Sequence, residues 1–316
     1  MSVNAIKDSL SSIEFLPVQN YENITVLGFK TSNLNDFDFL TLKKGLRMGL
    51  VELNEENPGG VVDTIKVENN AVTPLLILEG EVLIGAKQDR IANTSLLIPP
   101  HLETLIPVSC VEANRWEYQT NNFNDSTNYA PSNLRGARTE TVNVSLKKEG
   151  AYKSNQGLVW DVINQTQNNL NVESSTNALK DVYTSKAETL NEYYESFPYT
   201  RKQNGSIILI NNEVKGLELL YNNHLYKEFH ERIIKSYIVD ALQESKTSNP
   251  ENEDYAYNLA EDFRDNISSS KYETFKSAGC GEDSRLDNTD SMGSALIYKN
   301  ELIHAVFFNK LTPISI

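Results

Sequence analysis

Apolar positions fall into two regimes along the chain. Up to about residue 115 they come in short β-branched runs bounded by turn residues; beyond about residue 155 stretches recurring at three- and four-residue steps alternate with further strand-like runs. "ENITVLGF" (22–29), "LVELNEENPGG", "VDTIKVENNA", "RIANTSLLIPP" and "ETLIPVSCVEAN" read as strands, broken by Pro58-Gly59-Gly60, Asn69-Asn70 and Pro99-Pro100. "DFDFLTLKKGLRMG" reads as a short helix ended by Gly49. Three stretches carry a hairpin signature: "LLILEGEVLIGA", "IILINNEVKGLEL" and "ALIYKNELIHAVF". They turn at Glu79-Gly80, Asn211-Asn212 and Lys299-Asn300 and place Glu81, Glu213 and Glu301 at equivalent positions.

The helical pattern is clearest in "GLVWDVINQTQNNL", in "ALKDVYTSKAETLNEYYESF" before Pro198, and in "LYKEFHERIIKSYIVDALQE". In the last of these Phe229, Ile233, Tyr237 and Ala241 step by four beside Ile234, Ile238 and Leu242. "SKTSNPENED" reads as a polar connector and "YAYNLAEDFRDNI" as a short helix. The stretch from about Trp116 to Ala151 is polar, without visible period, and reads as a long loop or flap. These elements predict an α+β fold, mainly antiparallel sheet of sandwich or barrel type with several amphipathic helices. They form one domain over 1–316, with a subdivision into a β-rich part, 1–150, and a helical and hairpin part, 151–316.

Composition narrows the function classes. The net charge of −14 over 316 residues repels polyanions, which argues against nucleic acid or an anionic membrane as a partner and leaves a local pocket for a small phosphorylated ligand. No apolar run is long enough to span a bilayer, and the N-terminus shows no signal-peptide pattern, so a cytoplasmic location is expected. Two cysteines, Cys110 and Cys280, are no disulfide framework. No C-x-x-C, H-E-x-x-H, G-x-S-x-G, P-loop or G-x-G-x-x-G pattern occurs, which weakens zinc-hydrolase, serine-hydrolase and nucleotide-binding α/β readings and leaves any cofactor unknown.

The candidate chemistry lies in "GAKQDRIANTSLLIPP" and "IPVSCVEANRW". Strand alternation puts Gln88 and Arg90 on one face, and Cys110 and Glu112 on one face of the second segment. If the segments pair, Arg90, Asn93, Glu112 and Arg115 converge. Lys87, Gln88, Arg90, Asn93 and Arg115 would then hold a phosphate or sugar edge, Trp116 would wall the pocket or stack on a base, and Glu112 would fix an arginine or act as general base. The alternative is a buried, fully bonded ion-pair cluster that only fixes the sheet. Cys110 reads as a small buried hydrophobe rather than a nucleophile paired with His101, and Cys280 as a turn thiol. "GEDSRLDNTD" (Glu282, Asp283, Asp287, Asp290) reads as a solvated acidic loop, and His304 as a satisfied sheet histidine.

The segment from Gly85 to Trp116, together with "NGSIILINNEVKGLELL" and "LYKEFHERIIKSYIVDAL", resembles the ARPP-1 family, the ARG and Rhodanese-Phosphatase-superfamily-associated Protein domain, over roughly 24–308. The resemblance implies a setting in nucleotide, ADP-ribose or phosphoester metabolism and carries over no catalytic residue. Three expectations follow. The first is an accessory binding domain for a phosphorylated or ADP-ribose-like ligand. The second is a hydrolase or transferase on that ligand class using Glu112. The third is an interaction module presenting the hairpins.

Overall fold

A computed structural model describes residues 2–32, 37–246 and 252–310. Its mostly antiparallel sheets, one curled into a half-barrel, and its helices make it α+β, as the patterning predicts. The chain forms two compact units that interleave in sequence. One comprises Met1–Asp36, Ala187–Phe275 and Glu282–Ile316; the other comprises Phe37–Lys186 and Lys276–Gly281.

The first unit is built on a nine-stranded sheet. Strand Ile24–Lys30 pairs with Gly205–Ile210, which pairs through the Asn211-Asn212 turn with Glu213–Leu220. That strand pairs with Glu301–Asn309, which returns through Lys299-Asn300 to Ser291–Tyr298. Both predicted hairpins are present, and all four turn residues have positive φ, between 50° and 66°. "SIILI" is apolar without alternation because both faces of the sheet are covered. Ile207 and Leu209 pack with Ile6, Leu10, Ala260 and Phe263 from helices Ser2–Ser11 and Glu253–Ser269. Helix Asn223–Ala241 is capped by the Asn222 side chain and buries Phe229, Ile233 and Tyr237.

Three expectations change here. Helix Ser2–Ser11 carries no cap signal and is not foreseen. The short helix at "YAYNLAEDFRDNI" runs longer, over 17 residues, capped by Asn252; residues 247–251 of the polar connector lie outside the described residues. The "acidic loop" contains strand Glu282–Asp287, paired with Ser291–Tyr298. It can enter a sheet because its inward charges are neutralised: Arg285 donates to Asp283 at 2.6 Å, both almost wholly buried.

The second unit packs a three-stranded and a six-stranded sheet around Leu53, Ile65, Val67, Leu75, Ile77, Leu83, Ile98, Ile106 and Phe123. Strand Leu102–Cys110 joins two neighbours: its first part pairs with Thr64–Asn69, its last three residues with Arg90–Ala92. The Glu79-Gly80 turn is present, but its arms do not pair with each other. Leu75–Ile77 joins Leu96–Ile98 in the small sheet, whereas Glu81–Gly85 joins Arg90–Ala92 and Phe123–Tyr129 in the larger one. Turn chemistry is local and strand partners are not, so the signature located the turn and misassigned the pairing.

The largest correction concerns 116–151. It holds strand Phe123–Tyr129 and the 18-residue helix Ser132–Glu149, not a flap. The helix hides its period because its inward face mixes Leu134, Ala137, Val142 and Leu146 with Arg135, Arg138, Thr139 and Asn143, all buried. Arg135 donates to Glu79 at 3.1 Å, and Arg138 reaches the other oxygen of Glu79 and the Ala92 carbonyl. Gly80 has φ +88°, and a Cβ there would fall on the Arg135 side chain, so this glycine answers both the turn and the approach of the guanidinium. Gln156–Asn169 is the expected helix. "ALKDVYTSKAETLNEYYESF" is two helices, Leu179–Ser185 and Ala187–Glu195, interrupted at Lys186.

Candidate functional site

The two polar segments do come together. Cys110 is the register partner of Arg90, and Ser109 of Ile91. Lys87, Gln88 and Asp89 do not alternate along a strand, as expected from the sequence, but form the turn between Glu81–Gly85 and Arg90–Ala92. A turn frees all three side chains from the two-face rule. Gln88 and Asp89 consequently point into the protein, 4% and 1% exposed.

At the centre lies a charge cluster. Arg115 donates from Nε to Glu112 at 2.8 Å, from Nη1 to the carbonyls of Ala86 and Glu117, and from Nη2 to Glu112, Asp89 and the Gly85 carbonyl. Every N–H of this guanidinium is engaged. Glu112 also accepts from the Asp89 backbone N–H and from the Thr176 hydroxyl, and its backbone oxygen accepts from Gln88. Lys180 closes the cluster, 3.0 Å from Asp89 and 3.8 Å from Glu112.

Two carboxylates and two cations balance in charge, but the carboxylates titrate in opposite directions. Burial pushes the Asp89 carboxyl up, a rise that the Gly85 N–H and Lys180 only partly offset. Burial also acts to raise Glu112, but hydrogen bonds from Arg115, Thr176 and the Asp89 N–H outweigh it and hold that carboxyl below its ordinary range.

Beside this cluster opens a cleft of about 330 Å³. Its walls include Gln88, Cys110, Asn114, Arg115, Trp116 and Trp160. Trp116 is 45% exposed. The indole N–H of Trp160 is buried without a hydrogen-bond partner. Of the site residues read from the sequence, Gln88, Arg115 and Trp116 line the cleft. Glu112 sits beneath it, with both carboxylate oxygens occupied.

Arg90 and Lys87 lie at the same indole. The Arg90 Cζ is 5.5 Å from the Trp116 ring centroid and the Lys87 Nζ 5.6 Å, with Lys87 also donating to the Gly59 carbonyl. Asn93 is committed elsewhere: its amide donates to the Tyr152 carbonyl and its oxygen accepts from Ser109.

The other singled-out groups resolve simply. Cys110 is free, buried, and its thiol is pushed up to about 11 by burial, the wrong direction for a nucleophile. His101 and Cys110 stand at opposite ends of one strand, roughly 25–30 Å apart at about 3.3 Å per residue. Cys280 is half-buried, its N–H on the Leu97 carbonyl. His304 is buried in its strand with Nε2 3.8 Å from Glu218. Among the described residues no group of three or more His, Cys, Asp or Glu is arranged to hold a metal ion, and no helix is long and apolar enough to cross a membrane.

Sequence reading missed Trp160, Lys180, Thr176 and Glu55. The last three are polar residues on segments distant in sequence, with no motif to link them. Trp160 carried a weak signal as one of only two tryptophans.

Comparison with curated proteins and with solved structures finds no significant match to either. The family model described as ARG and Rhodanese-Phosphatase-superfamily-associated Protein domain matches residues 12–308, which takes in the charge cluster, the cleft, the whole second unit and most of the first. The chain belongs to this family, ARPP-1.

Proposed function

We propose that the protein is an accessory domain that binds a small nucleotide-type ligand, phosphorylated or ADP-ribose-like, in the cleft beside Arg115. The observation that carries this reading is a concavity of about 330 Å³ walled by two indoles, with Asn114 also in its lining. Its volume falls in the range of small-molecule sites, and planar apolar walls with a few polar groups suit a base. Trp116 and Trp160 would flank the base, while Asn114 presents an amide group at the edge. The family's name, which associates the domain with ARG and with a rhodanese–phosphatase superfamily, fits a role beside phosphoester or ADP-ribose chemistry. Two unpaired thiols fit a reducing cytoplasm, and the net charge of −14 disfavours nucleic acid.

The geometry favours binding over catalysis by Glu112. That carboxylate is lowered in pKa and saturated by donors, both of which weaken a general base. The test is isothermal titration of the full chain with adenosine, ADP and ADP-ribose. Binding of at least one, weakened tenfold or more in Trp160→Ala, is the expected result. No heat and no thermal shift with any of the three refutes the reading.

A further inference from the structure

Arg90 has no exposed surface, yet only one of its three nitrogens is hydrogen-bonded. Nη1 donates to the backbone and side-chain oxygens of Gln88, both at 3.0 Å. Nε and Nη2 have no hydrogen-bond partner. The nearest carboxylate, Glu55, stands 3.9 Å from Nη2, beyond hydrogen-bond reach. One Glu55 oxygen is instead engaged by the Lys87 N–H, and the other is buried without a partner. Buried donors are normally satisfied, and a guanidinium with three idle N–H bonds needs a reason.

Two rings lie against this group, buried Phe123 with its centroid 6.0 Å from Cζ and Trp116 at 5.5 Å, and of the two only Trp116 is exposed. Trp116 stacks on Arg90, and the same ring lines the cleft. The ring rests on an irregular stretch between strands Leu102–Cys110 and Phe123–Tyr129 and is nearly half exposed. Its indole N–H makes no hydrogen bond among the described residues, whereas its neighbour Arg115 is fixed by six. The ring is thus held only by its cation–π contacts with Arg90 and Lys87 and by packing, on a fixed root. Gly60, at φ +77°, lies against Trp116, Lys87 and Glu55, and a Cβ there would crowd both the indole and the lysine stem.

We infer that Trp116 is a shutter over a latent oxyanion subsite, in which the Nε and Nη2 of Arg90, with Lys87 at the rim, receive a phosphoryl group once the indole swings aside. The inference rests on the binding reading above and assigns the phosphate end of that ligand. Closed, the indole covers two cations by cation–π contact; open, it exposes a fork of N–H donors matched to two phosphoryl oxygens. Lys87 offsets the Glu55 charge, which turns from Arg90 without having to break a hydrogen bond to it.

The experiment uses full-length protein labelled with 5-fluorotryptophan. Its two fluorine resonances are assigned through Trp160→Phe and followed during titration with pyrophosphate, ADP and adenosine. Pyrophosphate and ADP are expected to shift the Trp116 resonance toward its solvent-exposed position, and adenosine is not. Trp116→Ala supplies an independent sign, because removing the shutter should tighten pyrophosphate roughly tenfold or more if the open state is a tenth or less populated. The same variant should weaken adenosine.

Pyrophosphate binding that shifts Trp116, without adenosine binding, supports the subsite and refutes the base-stacking reading. Adenosine and ADP binding equally, with no shift of Trp116 toward its solvent-exposed position, overturns the subsite and leaves that reading standing. No response to pyrophosphate in either the wild type or Trp116→Ala overturns the subsite outright.

Discussion

Arg115→Met isolates what the central charge cluster contributes. Methionine keeps much of the aliphatic stem and deletes a guanidinium that serves two carboxylates, each 1% exposed, and three carbonyls. Removing one partner of a buried ion pair costs about 3–5 kcal/mol, because the other charge stays buried without compensation. Lys180 remains 3.0 Å from Asp89 and keeps the loss near the lower end, about 3–4 kcal/mol. For a unit of this size that corresponds to a fall in Tm of roughly 6–16 °C.

Urea unfolding read by tryptophan fluorescence is the assay. Both tryptophans, Trp116 and Trp160, lie in the unit that holds the cluster, so the signal reports that unit even if the two unfold separately. The pH dependence fixes the mechanism. Without the guanidinium, the folded-state carboxyl pKa values rise above their unfolded values. The folded state then holds its protons more tightly, and stability is lost as pH rises through the folded pKa. The deficit of the variant should therefore be full at pH 7 and shrink toward pH 4, and adding Glu112→Gln should recover part of it. A deficit below about 1 kcal/mol at pH 7, or one that does not shrink in acid, would refute the account of the cluster.

Glu112→Gln alone should lower stability at pH 7 by about 1–3 kcal/mol. Because the Glu112 pKa is held below 4.5, its contribution is present above that value and lost as pH falls through the folded pKa. Wild-type and variant acid-unfolding curves followed by circular dichroism should therefore converge in acid. Gly80→Ala should destabilise by more than about 1 kcal/mol in urea unfolding, since the new methyl meets both a positive φ and the Arg135 side chain. A thiol reagent at pH 8 should modify at most Cys280 in the native protein and both cysteines after unfolding, because Cys110 is buried with its pKa near 11; rapid native labelling of Cys110 would contradict its placement.

The elements that were legible in the sequence are those whose cause is local. Asn211-Asn212 and Lys299-Asn300 each supply two residues at positive φ, and the apolar arms beside them pair through that turn. The 132–149 helix was illegible because four of its inward positions are polar. Its punctuation was present: Pro131 directly before it, and Gly150 in the left-handed region after it, make a start and a stop. The contact between Arg90 and Cys110 was legible as a pairing of strands. The Glu112 carboxylate on Arg115 is one of the roles the sequence offers for it, but the rest of the cluster was not legible, because the other acceptors of Arg115 come from the Gly85–Asp89 turn and from Glu117, and Lys180 and Thr176 come from a later segment altogether.

The interleaving of the two units sets a timetable for synthesis. Strand Ile24–Lys30 leaves the ribosome early, but its sheet partner Gly205–Ile210 is made only after the whole Phe37–Lys186 segment. At about 5–20 residues per second the wait is roughly ten to thirty-five seconds. Its other edge pairs with Glu14–Phe15 and Gln19–Tyr21, which are made before it, but for that interval the edge meant for Gly205–Ile210 is open on the nascent chain, a state in which chaperone holding or self-association competes with folding. The intervening unit is itself unfinished until Lys276–Gly281 arrives to place the Cys280 N–H on Leu97. Production yield should therefore respond to translation speed and to chaperone holding of the nascent chain.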